Sequence, residues 1–219
     1  MKNQNLRSVF IFGTDTNVGK TLVSSWLMAH LPYRYWKPIQ SGASLDDDTT
    51  TIESLIPSAQ PRCLAPFIRL QAPLSPHFAA DEEALTIDPF TIPLPTDLSN
   101  GHIVEGAGGL MVPINHQVTF LDWAKNMSLP AVIVSKNHVG TINHTCLTAM
   151  VLKQYQIPIV GVILNTTPEC SPDPRHASAI EEFAKVPVLA SLSYFDKLSL
   201  EALASSPIPA LLCERLSIP

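Results

Sequence analysis

Val9-Phe-Ile-Phe-Gly-Thr-Asp-Thr-Asn-Val-Gly-Lys-Thr21 is the stretch from which the rest of the chain is read. An apolar run, Val9 to Phe12, stops at Gly13. A polar turn leads to Gly19-Lys20-Thr21, and a helix-like run continues from Leu22 to His30. A strand, a glycine-bounded loop and a helix in that order are what a phosphate-binding loop requires. Backbone N–H groups of the loop and of the helix start converge on one spot, and the helix dipole adds positive partial charge there. Lys20 supplies a full charge for the outer phosphates and Thr21 a hydroxyl for Mg²⁺. Five residues, Thr14, Asp15, Thr16, Asn17 and Val18, separate Gly13 from Gly19, one more than the usual motif has. The loop is therefore one residue longer than usual, or begins at Thr14. An ordinary turn with a surface lysine is the plainer alternative. It is disfavoured because Gly-Lys-Thr both follows a buried-type strand and opens a helix. The motif indicates a nucleoside triphosphate and leaves the reaction open.

With 219 residues, 46% of them hydrophobic, the chain can bury a sizeable core, and residues 1–219 are read as one α/β domain. The net charge is −5 and the 14 basic residues are scattered, which argues against a nucleic-acid or anionic-membrane surface. Cys63, Cys146, Cys170 and Cys213 show neither zinc nor redox spacing and read as reduced thiols. The first apolar run is too short for a signal peptide and no stretch approaches membrane-spanning length, so a cytoplasmic protein is expected. The Asn-X-Ser/Thr triplets at Asn126, Asn143 and Asn165 are then chance patterns. Many of the 20 prolines fall between Pro57 and Pro95, so residues 57–99 read as a loop-rich excursion.

Along the chain, Tyr33 to Lys37 reads as a second strand, followed by a polar turn from Ile39 to Ala43. Asp46, Asp47 and Asp48 precede a helical run from Thr49 to Ile56. N-capping accounts for one such acid, and three exceed what capping needs. A short helix is expected from about Pro76 to Leu85. His77 has no second His or Cys at ligand spacing and reads as structural or substrate-side. His102-Ile-Val-Glu105 reads as a strand running into Gly106-Ala-Gly-Gly109, which puts Glu105 where open α/β sheets bind ligands. Further strands are expected at Pro130–Ser135, Ile157–Leu164 and Val188–Leu192. Helices are expected at Phe120–Lys125, Thr141–Gln154, Pro172–Lys185 and Lys197–Ala204. Strands alternating with helices, the strands nearly continuously apolar, predict a parallel sheet with helices on both faces, of the P-loop nucleotide hydrolase type. Right-handed crossovers then bring Lys20, Lys37, Glu105 and Ser135 to one sheet edge.

Such an edge suits phosphoryl transfer, which needs positive charge on the transferring group and a metal between the phosphates. Lys20 and Lys37 meet the first need. Thr21, one of the three aspartates and Glu105 meet the second, as oxygen ligands suited to Mg²⁺. No Ser/His/Asp nucleophile set is visible, so a covalent enzyme intermediate is not indicated. The residues alone define a Mg²⁺- and ATP-using enzyme or switch.

Five segments carry a more specific resemblance: Gly13 to Thr21, Lys37-Pro38 with Ser41-Gly42, Ser75-Pro-His77, Glu105 to Gly109, and Ile142-Asn-His144. In this order they resemble the dethiobiotin synthetase family over roughly residues 9 to 165. The resemblance implies ATP and Mg²⁺ as cofactors, 7,8-diaminopelargonic acid and CO₂ as substrates, and dethiobiotin, ADP and phosphate as products. A carbamate and a mixed carbamic-phosphoric anhydride lie between. It implies that Lys20 and Lys37 hold the γ-phosphate and the carbamate, and that Thr16 and Ser41 hydrogen-bond phosphate or substrate. The loop from Gly13 to Thr21, with Glu105 and Gly108, holds the nucleotide, and Asn165 reads the adenine edge. Thr21, Asp48 and Glu105 bind Mg²⁺, with Asp47 the alternative to Asp48. The family is a homodimer, with the diamine at the interface and its carboxylate near Val139 to Asn143.

Three positions depart from the family's pattern: Asn17 replaces an acid, Thr166 an Asp, and Ala190-Ser-Leu-Ser193 a Gly-Glu-Ile-Pro segment. The alternative reading is a regulatory P-loop ATPase of the partitioning or septum-placement kind. Those carry a second lysine near the start of the loop, where this chain has Thr14 and Asp15.

Overall fold

Every apolar run noted above becomes a strand, and the reason is burial on both faces. In β1 (Val9–Gly13), Phe10 and Phe12 point into one hydrophobic cluster and Val9 and Ile11 into another. In β6 (His102–Gly109), Val104 and Ile103 divide in the same way. So do Ala131 and Ile133 against Val132 and Val134 in β7 (Ala131–Lys136). Side chains alternate across a strand, so a strand covered on both sides must be apolar throughout. The computed structural model describes residues 7–44, 47–98, 101–170 and 172–217.

Seven parallel strands form the sheet. With β2 (Arg34–Trp36), β4 (Cys63–Leu64), β8 (Ile159–Asn165) and β9 (Val188–Leu192) added, the order is β4-β2-β6-β1-β7-β8-β9. α1 (Lys20–His30), α2 (Asp48–Leu55), α7 (Leu200–Ser205) and α8 (Ala210–Leu216) cover one face through Trp26, Ile52, Leu203 and Leu212. α3 (Pro76–Glu82), α4 (Phe120–Met127), α5 (Thr141–Gln154) and α6 (Arg175–Ala184) cover the other through Ala79, Trp123, Leu152 and Ile180. β1 is central. From it the chain winds towards β2 and β4, returns as β6, and continues on the far side through β7, β8 and β9. The crevice at the carboxyl ends of the strands around such a reversal is where open α/β sheets bind ligands.

The segment 57–98 contains the expected short helix and, beyond it, short pieces of regular structure that were not expected. It holds a 3₁₀ turn at Pro57–Arg62, edge strand β4, and β5 (Ile68–Arg69), which pairs with β3 (Ile39–Gln40) in a two-stranded sheet; α3 and a second 3₁₀ turn at Pro89–Thr91 follow. The Arg62 guanidinium donates to the carbonyls of Met28, Leu31 and Tyr33, so the excursion also satisfies the open end of α1. Helix α6 starts at Arg175, later than expected, because Pro172 and Pro174 cannot lie in a helix interior. Strand β6 continues through the glycines to Gly109, past the expected stop at Glu105. Helix α8 follows the last expected helix, with Pro209 at its N-cap.

Close packing of β8 on β9 depends on Gly161. A Cβ there would lie 2.4 Å from both Cγ and Cδ1 of Leu189 and 2.9 Å from the Pro187 carbonyl. Gly161→Ala is therefore expected to destabilise the fold by about 1–3 kcal/mol, the usual cost of overpacking. Denaturant unfolding measures this. Adding Leu189→Ala should worsen stability by less than that change does in the wild type. Unchanged stability of Gly161→Ala would contradict the packing.

Candidate active site

The phosphate loop is held by two glycines. Gly19, with φ of 95°, is the N-cap of α1, and a Cβ there would lie 2.2 Å from Asn165 Nδ2. A Cβ on Gly13 would lie 2.5 Å from the Asp15 carbonyl and 3.0 Å from Lys20 Nζ. No side chain caps α1 and no acid lies in its first turn, so the positive end of the helix is left for an anion. Lys20 Nζ, 3.4 Å from the Asp15 carbonyl, folds back over the loop. Asn165, at the end of β8, donates from Nδ2 to the Val18 carbonyl at 3.0 Å and so fixes the underside of the loop.

Thr14 and Ser135 anchor the loop rather than face the cavity. Their hydroxyls are 3.1 Å apart, and Ser135 is also within 2.8 Å of the Thr141 hydroxyl and 3.1 Å of that of Thr145. Ser135, expected at the ligand edge, is buried at the joint between the loop and α5.

Beside the loop, the acids and lysines meet. Lys37, one residue past β2, contacts the Asp48 carboxylate and lies 3.8 Å from Glu105 Oε1. The Thr21 hydroxyl bonds to Asp48 and is 3.1 Å from Glu105 Oε1. Glu105 Oε2 accepts from Ser24 at 2.8 Å and from Tyr35 at 3.2 Å. Lys20, Lys37 and Glu105 are all buried. The neighbouring acids divide the work: Asp47 caps α2 by accepting from the Thr50 amide and pairs with Arg69, while Asp48 turns into the site. Asp46 lies outside the described residues.

Burial and charge pull these groups in different directions. Burial lowers the pKa of Lys20, and the neighbouring Lys37 adds to this, with Glu105 opposing. Burial pushes Asp48 up, but the charge of Lys37 and hydrogen bonds from Lys37, Thr21 and Gln40 outweigh it, and Asp48 ends below the usual carboxylate range. Burial dominates at Glu105 and raises it despite Lys37. Burial and the adjacent Glu105 hold Tyr35 well above an ordinary phenol. Two carboxylates in one cluster are thereby driven apart.

A cavity of about 710 Å³ opens over this group. Of the expected residues, Thr16, Asn17, Gly19, Lys20 and Thr21 line it from the loop, and Lys37, Ser41, Asp48, Glu105 and Gly108 line it from other strands and turns. Gly13, Thr14, Asp15, Val18 and Asn165 do not line it. The pairing of β3 with β5 carries the far wall: Gly42 N donates to the Ala72 carbonyl, bringing Ser41 opposite Pro73 and Ser75. Sequence reading missed Gln40, Ser24 and Tyr35. Gln40 lines the cavity and accepts from the Asp48 amide at 3.3 Å. Ser24 carried a usable signal, since it lies one turn after Lys20 on the same helix face.

Among the described residues no helix is long and apolar enough to cross a membrane. Residues 7–202 match the sequence family described as an AAA domain. The ParA family ATPase of Chlorobium tepidum TLS has a TM-score of 0.52 at 13% identity, covering 97% of this chain and 96% of its own, which shows a shared fold. The ATP-dependent dethiobiotin synthetase of Lawsonia intracellularis is 38% identical over 204 residues, 91% of this chain and 94% of its own. That of Paramagnetospirillum magneticum is 40% identical over 208 residues, 95% of this chain and 98% of its own. Relatives so similar from end to end, on a P-loop fold whose lysines and acids meet in one cavity, show that this chain belongs to the dethiobiotin synthetase family.

Proposed function

We propose that this chain is an ATP-dependent ligase of biotin biosynthesis that closes the ureido ring of dethiobiotin. Its substrates are 7,8-diaminopelargonic acid, CO₂ and ATP, and its products dethiobiotin, ADP and phosphate. The observation that carries this reading is the convergence of Lys20 and Lys37 on Thr21, Asp48 and Glu105 in one cavity beside the phosphate loop.

The donor set fits Mg²⁺. All three candidate ligands are oxygens, and the Lys37 ammonium already lies against both carboxylates, so a positive charge is stabilised there. Among the described residues no group of three or more His, Cys, Asp or Glu could hold a metal. Two carboxylates and a hydroxyl suit an ion that takes its other ligands from phosphates and water. Thr21, Asp48 and Glu105 would hold it, and when bound it neutralises phosphate charge.

One amine of the diamine attacks the carbon of CO₂ and loses a proton, giving a carbamate. A carbamate oxygen attacks the γ-phosphorus and ADP leaves. The second amine attacks the carbonyl carbon of the resulting anhydride and loses a proton, and phosphate departs as the ring closes. Each nucleophile belongs to the substrate, so the protein needs no nucleophile of its own. Lys20 and Lys37 supply fixed positive charge for the carbamate and the transferring group in a site of low dielectric. Thr16 hydrogen-bonds phosphate or substrate. So does Ser41, whose buried Oγ has no hydrogen-bond partner among the described residues. An unpaired buried hydroxyl costs about 1–3 kcal/mol, which a ligand partner recovers. Asn165, with Nδ2 committed to Val18, keeps its carbonyl oxygen for the adenine edge.

The homodimer is supported by α5. Val139 stands exposed just before it and Leu147 and Met150 along it, and Gly140 leaves its N-terminus without a side-chain cap among the described residues. A second copy packed on this face would bring the amides of Val139 to Asn143 to the carboxylate of the diamine. The cytoplasm is the expected compartment.

The direct test is phosphate release with ATP, Mg²⁺ and bicarbonate, with and without the diamine, following the organic product by mass. Diamine-dependent phosphate and a product in which one carbonyl has replaced two N–H hydrogens of the diamine are expected. Hydrolysis indifferent to the diamine would favour a regulatory ATPase instead. Lys37→Ala is expected to remove turnover with little loss of ATP affinity, because its charge acts on the transferring group; equal losses in both would contradict that role. Asp48→Ala and Glu105→Ala should each raise the Mg²⁺ concentration needed for half-maximal rate. If only one does so, the other is not a metal ligand.

A further inference from the structure

Ser75 breaks a local rule. It is the N-cap of α3, a position where a serine hydroxyl ordinarily accepts from the amides of the first turn. Here the hydroxyl makes no such bond; its Oγ lies 3.0 Å from Nδ1 of His77, and Ser75 lines the cavity. A residue that gives up its capping bond is a candidate for another task.

His77 is itself held. Its ring meets that of His116 edge to face, with centroids 5.5 Å apart. His116 Nε2 lies 3.1 Å from both oxygens of Asp81, one helical turn beyond His77 on the same face of α3. The turn that presents His116 is fixed by Asn115, whose Oδ1 accepts from the amides of Gln117 and Val118, both at 2.8 Å, and whose Nδ2 donates to the Ile87 carbonyl. Asp81 and Asn115 thus set His116, His116 backs His77, and His77 sets the hydroxyl that meets the cavity.

We propose that His77 is a positioning residue for substrate. By accepting from Ser75 at Nδ1, it leaves the serine oxygen with its lone pairs towards the cavity, as an acceptor for an N–H of the substrate's amine. The lysines of the site attract the anionic parts of the reactants, and the Asp48 and Glu105 carboxylates are already engaged by Lys37 and Thr21, so amine recognition falls to neutral acceptors on the opposite wall. The plainer alternative is that His77 only packs α3 against the 115–118 turn. That alternative leaves unexplained why the serine gave up its cap for this ring.

The proposal rests on the ring-closure reading, and one assay separates the two. Wild type, Ser75→Ala, His77→Ala, His77→Asn and Ser75→Ala/His77→Ala are compared by KM for the diamine, KM for ATP, kcat and unfolding midpoint. Loss of one hydrogen bond to substrate predicts a rise in diamine KM of about 3- to 10-fold for Ser75→Ala. His77→Ala should give a similar rise, with ATP KM unchanged. The double variant should be no worse than Ser75→Ala alone, because His77 acts through the serine. His77→Asn, whose amide lies near the position of Nδ1, should restore much of the affinity. Multiplying effects in the double variant, or a His77→Ala defect confined to the unfolding midpoint, would overturn the proposal alone. A wild type without diamine-dependent turnover would overturn the ring-closure reading and this proposal with it.

Discussion

The arrangement of the site follows from the burial of three formal charges in one place. Lys20, Lys37 and Glu105 have relative exposures of 7%, 6% and 1%. Alone, each would be too costly to bury, and each would neutralise or draw in water. Together with Asp48 they form an alternating cluster in which each charge is another's solvent. The hydrogen bonds from Ser24 and Tyr35 to Glu105 take up much of what the lysines leave over. Such a cluster is weak evidence for stability, since apolar residues of similar volume would serve as well. It is better evidence for a task, because its oxygens and ammonium groups line an open cavity.

That cluster constrains the sheet around it. Lys37 follows β2, Glu105 lies in β6 and Lys20 follows β1, three neighbouring strands that end on one edge. Parallel pairing makes this possible: Ile11 pairs with Glu105 and Trp36 with Val104, so all three strands present their carboxyl ends at the same level. An antiparallel neighbour would have sent one of the charged groups to the opposite edge. The apolar runs that fix the sheet and the polar residues that end them are therefore one design. Their boundary, strand by strand, marks the floor of the cavity.

This explains what could be read from the sequence. The phosphate loop, the central strands and α5, found at the predicted bounds Thr141–Gln154, were legible because each is a local pattern. Glu105 was legible as an acid at the end of an apolar run. Three aspartates in a row exceed what capping needs, but the pattern leaves open which of them turns into the site, and Asp48 follows only from the resemblance. Ser24 and Tyr35 were hidden, because a serine in a helix and a tyrosine in a strand are ordinary until the partner 81 or 70 residues away is known. Gln40 was hidden because β3 is two residues long and exists only through its pairing with β5. Ser135 was misjudged for a related reason. Its position at the end of β7 followed from topology, but the Thr14, Thr141 and Thr145 hydroxyls that hold it inward are tertiary facts.

The proline-rich segment shows how an irregular path can still give a defined wall. Its backbone cannot join the sheet along its length, yet Ser75 must be held as firmly as the loop opposite. Proline reduces the conformational freedom lost on ordering without demanding a regular partner. Gly42, with φ of 73°, lets the Ser41 turn come within reach of Pro73; a Cβ on Gly42 would lie 3.3 Å from the proline Cα. Pro76 then starts α3 with φ already suited to a helix. The hydrogen bonds of Gly42 to Ala72, Ala43 to Leu70 and Ser44 to Gln71 join the two turns. Ser41 and Ser75 therefore stand on turns joined by hydrogen bonds, facing charged residues carried by the sheet and the ends of α1 and α2. A wall built this way fixes the distance between the neutral and the charged groups of the cavity.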